Sequence, residues 1–240
     1  MFAGPNGSGK STIKDQVAPH LISTYVNADE IEKEVNDTGR LDLSPFDIFP
    51  SADVFRSFVD DHPLIKKAGF EESVRAISLE DQRLDFRRID MNSYYASVIA
   101  DFIRHTLLDG RRSFTFETVM SSPDKVRFMD RALANGYRTY LYFIATDSVD
   151  INISRVSNRV EDGGHPVSEE KIRKRYVGSL DLLPSAIAAS SRAFIFDNSS
   201  EKSVFLAEIT AGTELRFHCE DMPGWFIDAY VDKVSDTGTQ

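Results

Sequence analysis

Apolar positions recur along this chain in two periods, and the alternation between them lays out its elements. Thr24-Tyr25-Val26-Asn27, Ser113-Phe114-Thr115-Phe116, Tyr137–Ala145 and Arg192–Phe196 are β-branched and aromatic runs bounded by turn residues, the pattern of buried strands. Tyr137–Ala145 is the strongest of them. Between the runs the spacing changes to three and four. Tyr94, Tyr95, Val98, Ile99, Phe102, Ile103 and Leu107 predict an amphipathic helix over Ser93–Leu108, ended by Gly110. Ser122-Pro123-Asp124 has the chemistry of a helix start, a capping serine followed by proline and an acid. Val126, Met129, Ala132 and Leu133 give that helix its buried stripe, and Asn135-Gly136 closes it. A further helix after Thr146-Asp147-Ser148 turns Ile153, Val156 and Val160 inward, and another begins at Ser168. Strand–helix–strand repeats of this kind imply a parallel sheet covered by helices.

The ends of the chain and one internal stretch depart from that rhythm. Leu206–Ile209 and Leu215–Cys219 read as a hairpin turning at Ala211-Gly212, followed by an amphipathic segment over Met222–Val234 and a disordered tail, Ser235–Gln240. From Asn36 to Asn92, Gly39, Pro45, Pro50 and Pro63 break the apolar pattern into short pieces. This predicts an insertion of short helices and loops within a single domain spanning 1–240. It is either a solvated decoration or a cap that shapes a pocket.

Composition narrows the field. Hydrophobic residues make up 41 % of the 240, enough for a core. The 28 basic and 38 acidic residues give a net charge of -10, which opposes nonspecific binding to nucleic acid or to an anionic membrane. Cys219 is the only cysteine, so no intrachain disulfide forms and a reducing interior is favoured. No apolar run approaches the roughly 20 residues of a membrane span, and no signal peptide is evident. The expectation is a cytoplasmic protein.

The chemistry starts at Gly4-Pro5-Asn6-Gly7-Ser8-Gly9-Lys10-Ser11-Thr12, which fits the phosphate-binding loop G-x-x-x-x-G-K-[ST]. Glycines let successive N–H groups turn inward to form an anion nest. Lys10 adds a positive charge for the β- and γ-phosphates, and the Ser11 hydroxyl can ligate Mg²⁺, which prefers oxygen ligands. A helix over Thr12–Leu21, stopping around Pro19, aims its positive end at the same place. A chance match in a chain of this length is on the order of 1 %. Only Met1-Phe2-Ala3 precede the loop, where a buried strand normally leads in.

Two acidic residues fall at strand tips, where an α/β sheet places functional side chains. Asp29 follows Thr24–Asn27 and either caps the helix Glu30–Val35 or acts as a base near the γ-phosphate. Glu117, with Thr118, follows Ser113–Phe116. Arg155 and Arg159 stand one turn apart on one helix, and Lys171, Arg173, Lys174 and Arg175 lie on the next, across Gly163-Gly164-His165-Pro166. In an acidic protein this basic cluster suits the charge on a transferring phosphoryl group, unless Glu161, Asp162, Glu169 and Glu170 simply neutralise it. Asp197-Asn198-Ser199-Ser200 either borders a base or caps the strand before it.

Together these segments resemble the zeta-toxin-like P-loop kinases: Phe2–Thr12, Asn27-Ala28-Asp29-Glu30-Ile31, Phe116-Glu117-Thr118, Gly163-Gly164-His165, Lys171–Tyr176 and Phe196-Asp197-Asn198-Ser199. The resemblance covers 1–35 and about 93–200. It implies an α/β fold, a P-loop NTPase three-layer sandwich with a mainly parallel central sheet and a helical lid, carrying the 36–92 segment as an insertion. It also implies ATP and Mg²⁺, with Gly4, Asn6, Gly7, Ser8, Gly9, Lys10, Ser11 and Thr12 around the phosphates. Asp29 then matches the general base on an acceptor hydroxyl, and Glu117, with Thr118 beside it, an acceptor-binding carboxylate. Arg159, with Arg155, matches a lid arginine on the γ-phosphate, and Arg175 a second. The family's toxins phosphorylate UDP-N-acetylglucosamine, and the resemblance leaves an antitoxin protein open as a partner. The insertion lies where acceptor specificity is decided.

The leading expectation is an ATP:hydroxyl phosphotransferase for a small acceptor, either a nucleotide sugar or an antibiotic or nucleoside-like metabolite. An ATP-hydrolysing switch would need a hydrophobic strand ending in Asp-Glu, and Leu141–Ala145 instead runs into Thr146-Asp147-Ser148. The third class is a binding module whose nucleotide site is only structural.

Overall fold

Leu141, Phe143 and Ala145 alternate with Tyr140, Tyr142 and Ile144, so the strand they form offers different chemistry to its two sides. The computed structural model describes residues 1–161 and 166–237, without the side chains of 236 and 237. The predicted Gly163-Gly164-His165 turn and the last three residues of the tail lie outside the described residues.

In chain order, β1 (Phe2–Ala3), α1 (Lys10–Lys14), β2 (Thr24–Val26), α2 (Ala28–Thr38), β3 (Arg40–Asp42), α3 (Ala52–Asp61), α4 (Pro63–Ala68), β4 (Ser78–Glu80) and β5 (Arg83–Asp85) come first. They are followed by α5 (Ser93–Asp109), β6 (Phe114–Thr118), α6 (Asp124–Ala134), β7 (Tyr140–Ala145), α7 (Val149–Glu161), α8 (Glu169–Asp181), α9 (Leu183–Ala188), β8 (Arg192–Asp197), β9 (Val204–Thr210) and β10 (Glu214–Phe217). A helical segment closes the chain, from α10 (Gly224–Phe226) through a π-helical stretch at Ile227–Val231 to α11 (Asp232–Thr237). The elements gather into two compact units, Met1–Ala18 with Glu117–Gln240, and Pro19–Phe116.

The first unit holds most of the central sheet, in the order β10-β9-β8-β7-β1 and then the tip of β6. β6, β1, β7 and β8 run parallel, and β9 and β10 return antiparallel as the predicted hairpin. On one face Leu141, Phe143, Ala193, Ile195, Ala207 and Ile209 are fully buried. α9 packs there, and the Trp225 ring lies 6.1 Å from that of Phe143. On the other face Phe2, Tyr142 and Phe194 stack at 4.8 and 4.9 Å, with Ile13 and Val17 against Phe2 and Ile144.

The second unit holds β2, paired in parallel with Phe114–Phe116 of β6. α2 packs on α5, burying Ile31 and Val35 beside Val98, Ile99 and Phe102. The stretch read as short helices and loops does contain α3 and α4, and also a three-stranded antiparallel sheet ordered β3-β5-β4. Each of its strands is a polar-apolar-polar triplet, too short to show a period. Leu41 and Leu84 pair across it, fully buried. Phe55 and Phe58 meet Phe102 edge-on at 5.2 and 5.3 Å, so α3 shares the core of α5.

Three local expectations are corrected. The helix after the phosphate loop starts at Lys10 and ends at Lys14, well before Leu21. Asn27, and not Asp29, caps α2, its side chain accepting the Asp29 N–H at 2.9 Å. In α7, Asn152 is fully buried while Val160 is exposed, the reverse of the hydrophobic pattern.

Candidate phosphate-binding site

β1 lies between β6 and β7, with Phe2 opposite Glu117 on one side and Tyr142 on the other. The chain leaves the sheet at Gly4, and the turns that follow require glycine. Gly4, Gly7 and Gly9 have φ of 144°, 75° and 90°, a region that L side chains rarely adopt. Space forbids a side chain as well. A methyl carbon on Gly4 would overlap the Ile144 carbonyl oxygen, one on Gly7 would lie 2.6 Å from the Asn152 carbonyl oxygen, and one on Gly9 would overlap Asn198 Nδ2. The loop is thus a bare backbone cradle of the kind an anion nest needs.

Lys10 opens α1 and is 7 % exposed. Its Nζ donates to the carbonyls of Gly4 and Pro5 at 3.0 Å each and lies 3.8 Å from Glu117 Oε1. The ammonium is therefore held over the loop by two carbonyl dipoles and the carboxylate at the tip of β6. Ser11 and Thr12 follow, both exposed. Glu117 and Thr118 are the last residues of β6, and the Thr118 hydroxyl accepts the Met120 N–H at 3.0 Å.

Two asparagines grip the loop from behind. Asn152 Nδ2 donates to the Asn6 carbonyl at 2.6 Å, and Asn198 Nδ2 to the Ser8 carbonyl at 2.8 Å. Each is backed by further bonds. The Thr146 hydroxyl donates to Asn152 Oδ1, and Tyr176 OH donates to the Thr146 carbonyl at 2.6 Å. Burial, together with the charges of Asp147 and Asp197, pushes the Tyr176 hydroxyl up to about 12, so it stays a donor at neutral pH. Asp197 accepts from the Ser199 hydroxyl at 2.7 Å, the Ser199 N–H at 3.0 Å and Trp225 Nε1 at 2.8 Å. The Asp197–Ser200 turn therefore caps its strand, one of the two roles the sequence left open, and also reaches the loop. No sequence signal marks Asn152, whose place in α7 is one more position beside an apolar stripe.

The basic residues divide by role. Arg155 Nη1 donates to the Asn198 carbonyl at 2.7 Å and Nη2 to the Ser200 carbonyl at 3.4 Å. Arg175 Nη1 donates to Asn6 Oδ1 at 3.1 Å, which brings α8 to the loop. Arg173 pairs with Glu169 and Asp150, a solvated ion-pair set. Arg159 stands exposed near the end of α7. In the second unit Asp29 is exposed in the first turn of α2, and its carboxylate makes no hydrogen bond with any described residue.

ATP and Mg²⁺ fit these residues. The backbone cradle of Gly4, Gly7 and Gly9 would hold phosphate oxygens beside Lys10, and the exposed Ser11 hydroxyl would offer one oxygen ligand to the metal. Among the described residues no group of three or more His, Cys, Asp and Glu could hold a metal ion.

A glycine cradle between the carboxyl ends of parallel strands, closed by a lysine at the start of a helix, defines a P-loop nucleotide-binding fold. The Zeta toxin family model matches residues 90–209, half of the chain, and the chain belongs to that family. Among solved structures it is similar to AvrRxo1-ORF1 in complex with AvrRxo1-ORF2 and sulphate ions, at a TM-score of 0.51 and 15 % identity over 90 % of this chain and 60 % of that one. The same pair with ATP gives 0.50 and 16 %, over 90 % and 59 %. An uncharacterized protein of Haemophilus influenzae is 31 % identical over 72 residues, 30 % of this chain and 51 % of that protein. The chain thus spans about half the length of the curated relative it matches.

Proposed function

We propose that this protein is an ATP-dependent phosphotransferase acting on a hydroxyl of a small acceptor, as in the zeta-type toxins of toxin–antitoxin systems. The observation that carries this is Lys10, buried over the glycine cradle and held by Gly4, Pro5 and Glu117. In this reading the loop and Lys10 bind the β- and γ-phosphates, and Ser11 contributes to the Mg²⁺ that neutralises them. Asp29 orients and deprotonates the acceptor hydroxyl. Its support is local: Asn27 does the capping, which leaves the Asp29 carboxylate uncommitted at the start of α2. Glu117 and Thr118 serve acceptor binding, and Arg159 and Arg175 meet charge on the transferring group. Arg155 acts through the turn it holds. Catalysis of this kind is mainly positioning and charge stabilisation. UDP-N-acetylglucosamine is the first acceptor to test, an antibiotic or nucleoside-like metabolite the second. An antitoxin is a proposed partner, and the 36–92 segment a proposed cap on the acceptor.

The test is ATP consumption across a panel of hydroxyl acceptors, with products followed by mass. Lys10→Ala and Asp29→Asn are each expected to abolish transfer, and Asp29→Asn to leave ATP binding intact. Full acceptor turnover by Asp29→Asn would remove it from the mechanism. ATP hydrolysis indifferent to every acceptor would point to a switch.

A further inference from the structure

The C-terminal helical segment lies beyond the residues matched by the family, yet one of its side chains is bonded to the turn that carries Asn198 to the phosphate loop. Trp225 is the only tryptophan of the chain and is 6 % exposed. Packing on Phe143 and Phe226, at ring distances of 6.1 and 5.6 Å, fixes its indole. Its N–H meets Asp197 Oδ1 at 2.8 Å. The same carboxylate takes both the hydroxyl and the N–H of Ser199, so its two oxygens close a turn over Asn198 between them. Asn198 in turn donates to the Ser8 carbonyl and occupies the space that a side chain on Gly9 would need. An indole N–H is a donor only, so this bond has one direction and one purpose at a carboxylate.

We propose that Trp225 is a positioning residue for the nucleotide site, acting through Asp197 and Asn198 on the backbone of Ser8 and Gly9. The inference rests on the loop binding a nucleotide phosphate. The chain of contacts makes the C-terminal segment part of the site without touching the ligand. Because coupling between two sites is reciprocal, nucleotide at the loop also alters the surroundings of the Trp225 ring.

The experiment uses the full chain and ATP with Mg²⁺. Titration of the wild-type protein is expected to change the emission of its single tryptophan with the same midpoint as binding measured by calorimetry. Trp225→Phe keeps most of the packing and deletes the donor. It is expected to weaken ATP about three- to tenfold, the worth of one hydrogen bond, and to shift the amide signals of Ser8 and Gly9. Asp197→Ala, which leaves no acceptor for the indole, tests the same link from the other end, should the aromatic substitution unsettle the fold. The double variant is expected to lose no more than the worse single one, because both remove the same link. Losses that simply add, or unchanged affinity and amide signals in both single variants, would overturn the inference while leaving the nucleotide site standing. No ATP binding by the wild-type protein would overturn the site itself, and this inference with it.

Discussion

Gly9 combines a φ of 90° with the nearness of Asn198 Nδ2, so alanine there is penalised twice. The left-handed backbone costs about 1–2 kcal/mol for an L side chain, and the methyl displaces the amide that donates to Ser8. Gly9→Ala is expected to lower the midpoint of urea unfolding and to weaken ATP, whereas Gly136→Ala, with φ of 82° and open space around it, should show the backbone cost alone. Residues like these were legible in advance because a motif names them. Gly4, Gly9 and Lys10 are fixed by the spacing of the motif, whereas Gly7 stands at one of its open positions. Spacing fixes neither Asn152 nor Asn198. An asparagine that bonds a carbonyl 146 or 190 residues away leaves no local trace, and helix capping by Asn27 in place of Asp29 was a choice between neighbouring polar residues.

Elements were readable in proportion to their length. α5 and β7 announce themselves by period, while β3, β4 and β5, three residues each, do not. What holds the small sheet is visible only in three dimensions. Leu41 and Leu84 are buried, and Asp85 accepts from the Arg87 N–H at 3.0 Å and from its guanidinium. Arg87, first by its side chain and then by its N–H, holds the Asp85 carboxyl well below the usual carboxylate range, with Arg40 adding its charge. A lowered acid stabilises the folded form fully above the unfolded carboxylate value of about 3.9 and gives that contribution up as pH falls through the folded one. Amide exchange at Leu41 and Leu79 is therefore expected to accelerate only below that range, and the acid dependence to shrink in Asp85→Asn. In the same unit, Phe55→Ala would empty a site that is 1 % exposed and is expected to cost about 3–5 kcal/mol in denaturant unfolding.

At the scale of the molecule, the α/β class and the parallel order were foreseeable from strand–helix alternation, and the division of the chain was not. Pro19–Phe116 is one continuous stretch, whereas the other unit joins Met1–Ala18 to Glu117–Gln240. Sequence patterning has no term for that, because a boundary falling inside β6 changes neither period nor composition. A chain ending at Ala189 lacks β8 and with it Asn198, and is expected to bind no fluorescent ATP analogue. The order of synthesis gives this arrangement a timetable. Ser8 and the asparagine that grips it are 190 residues apart, which at ordinary translation speed is about 10–40 s. Trp225 emerges later still. The phosphate loop is thus synthesised long before the side chain that steadies it, and a chain not yet extended past Asn198 carries the lysine and glycines without the bond that holds Ser8.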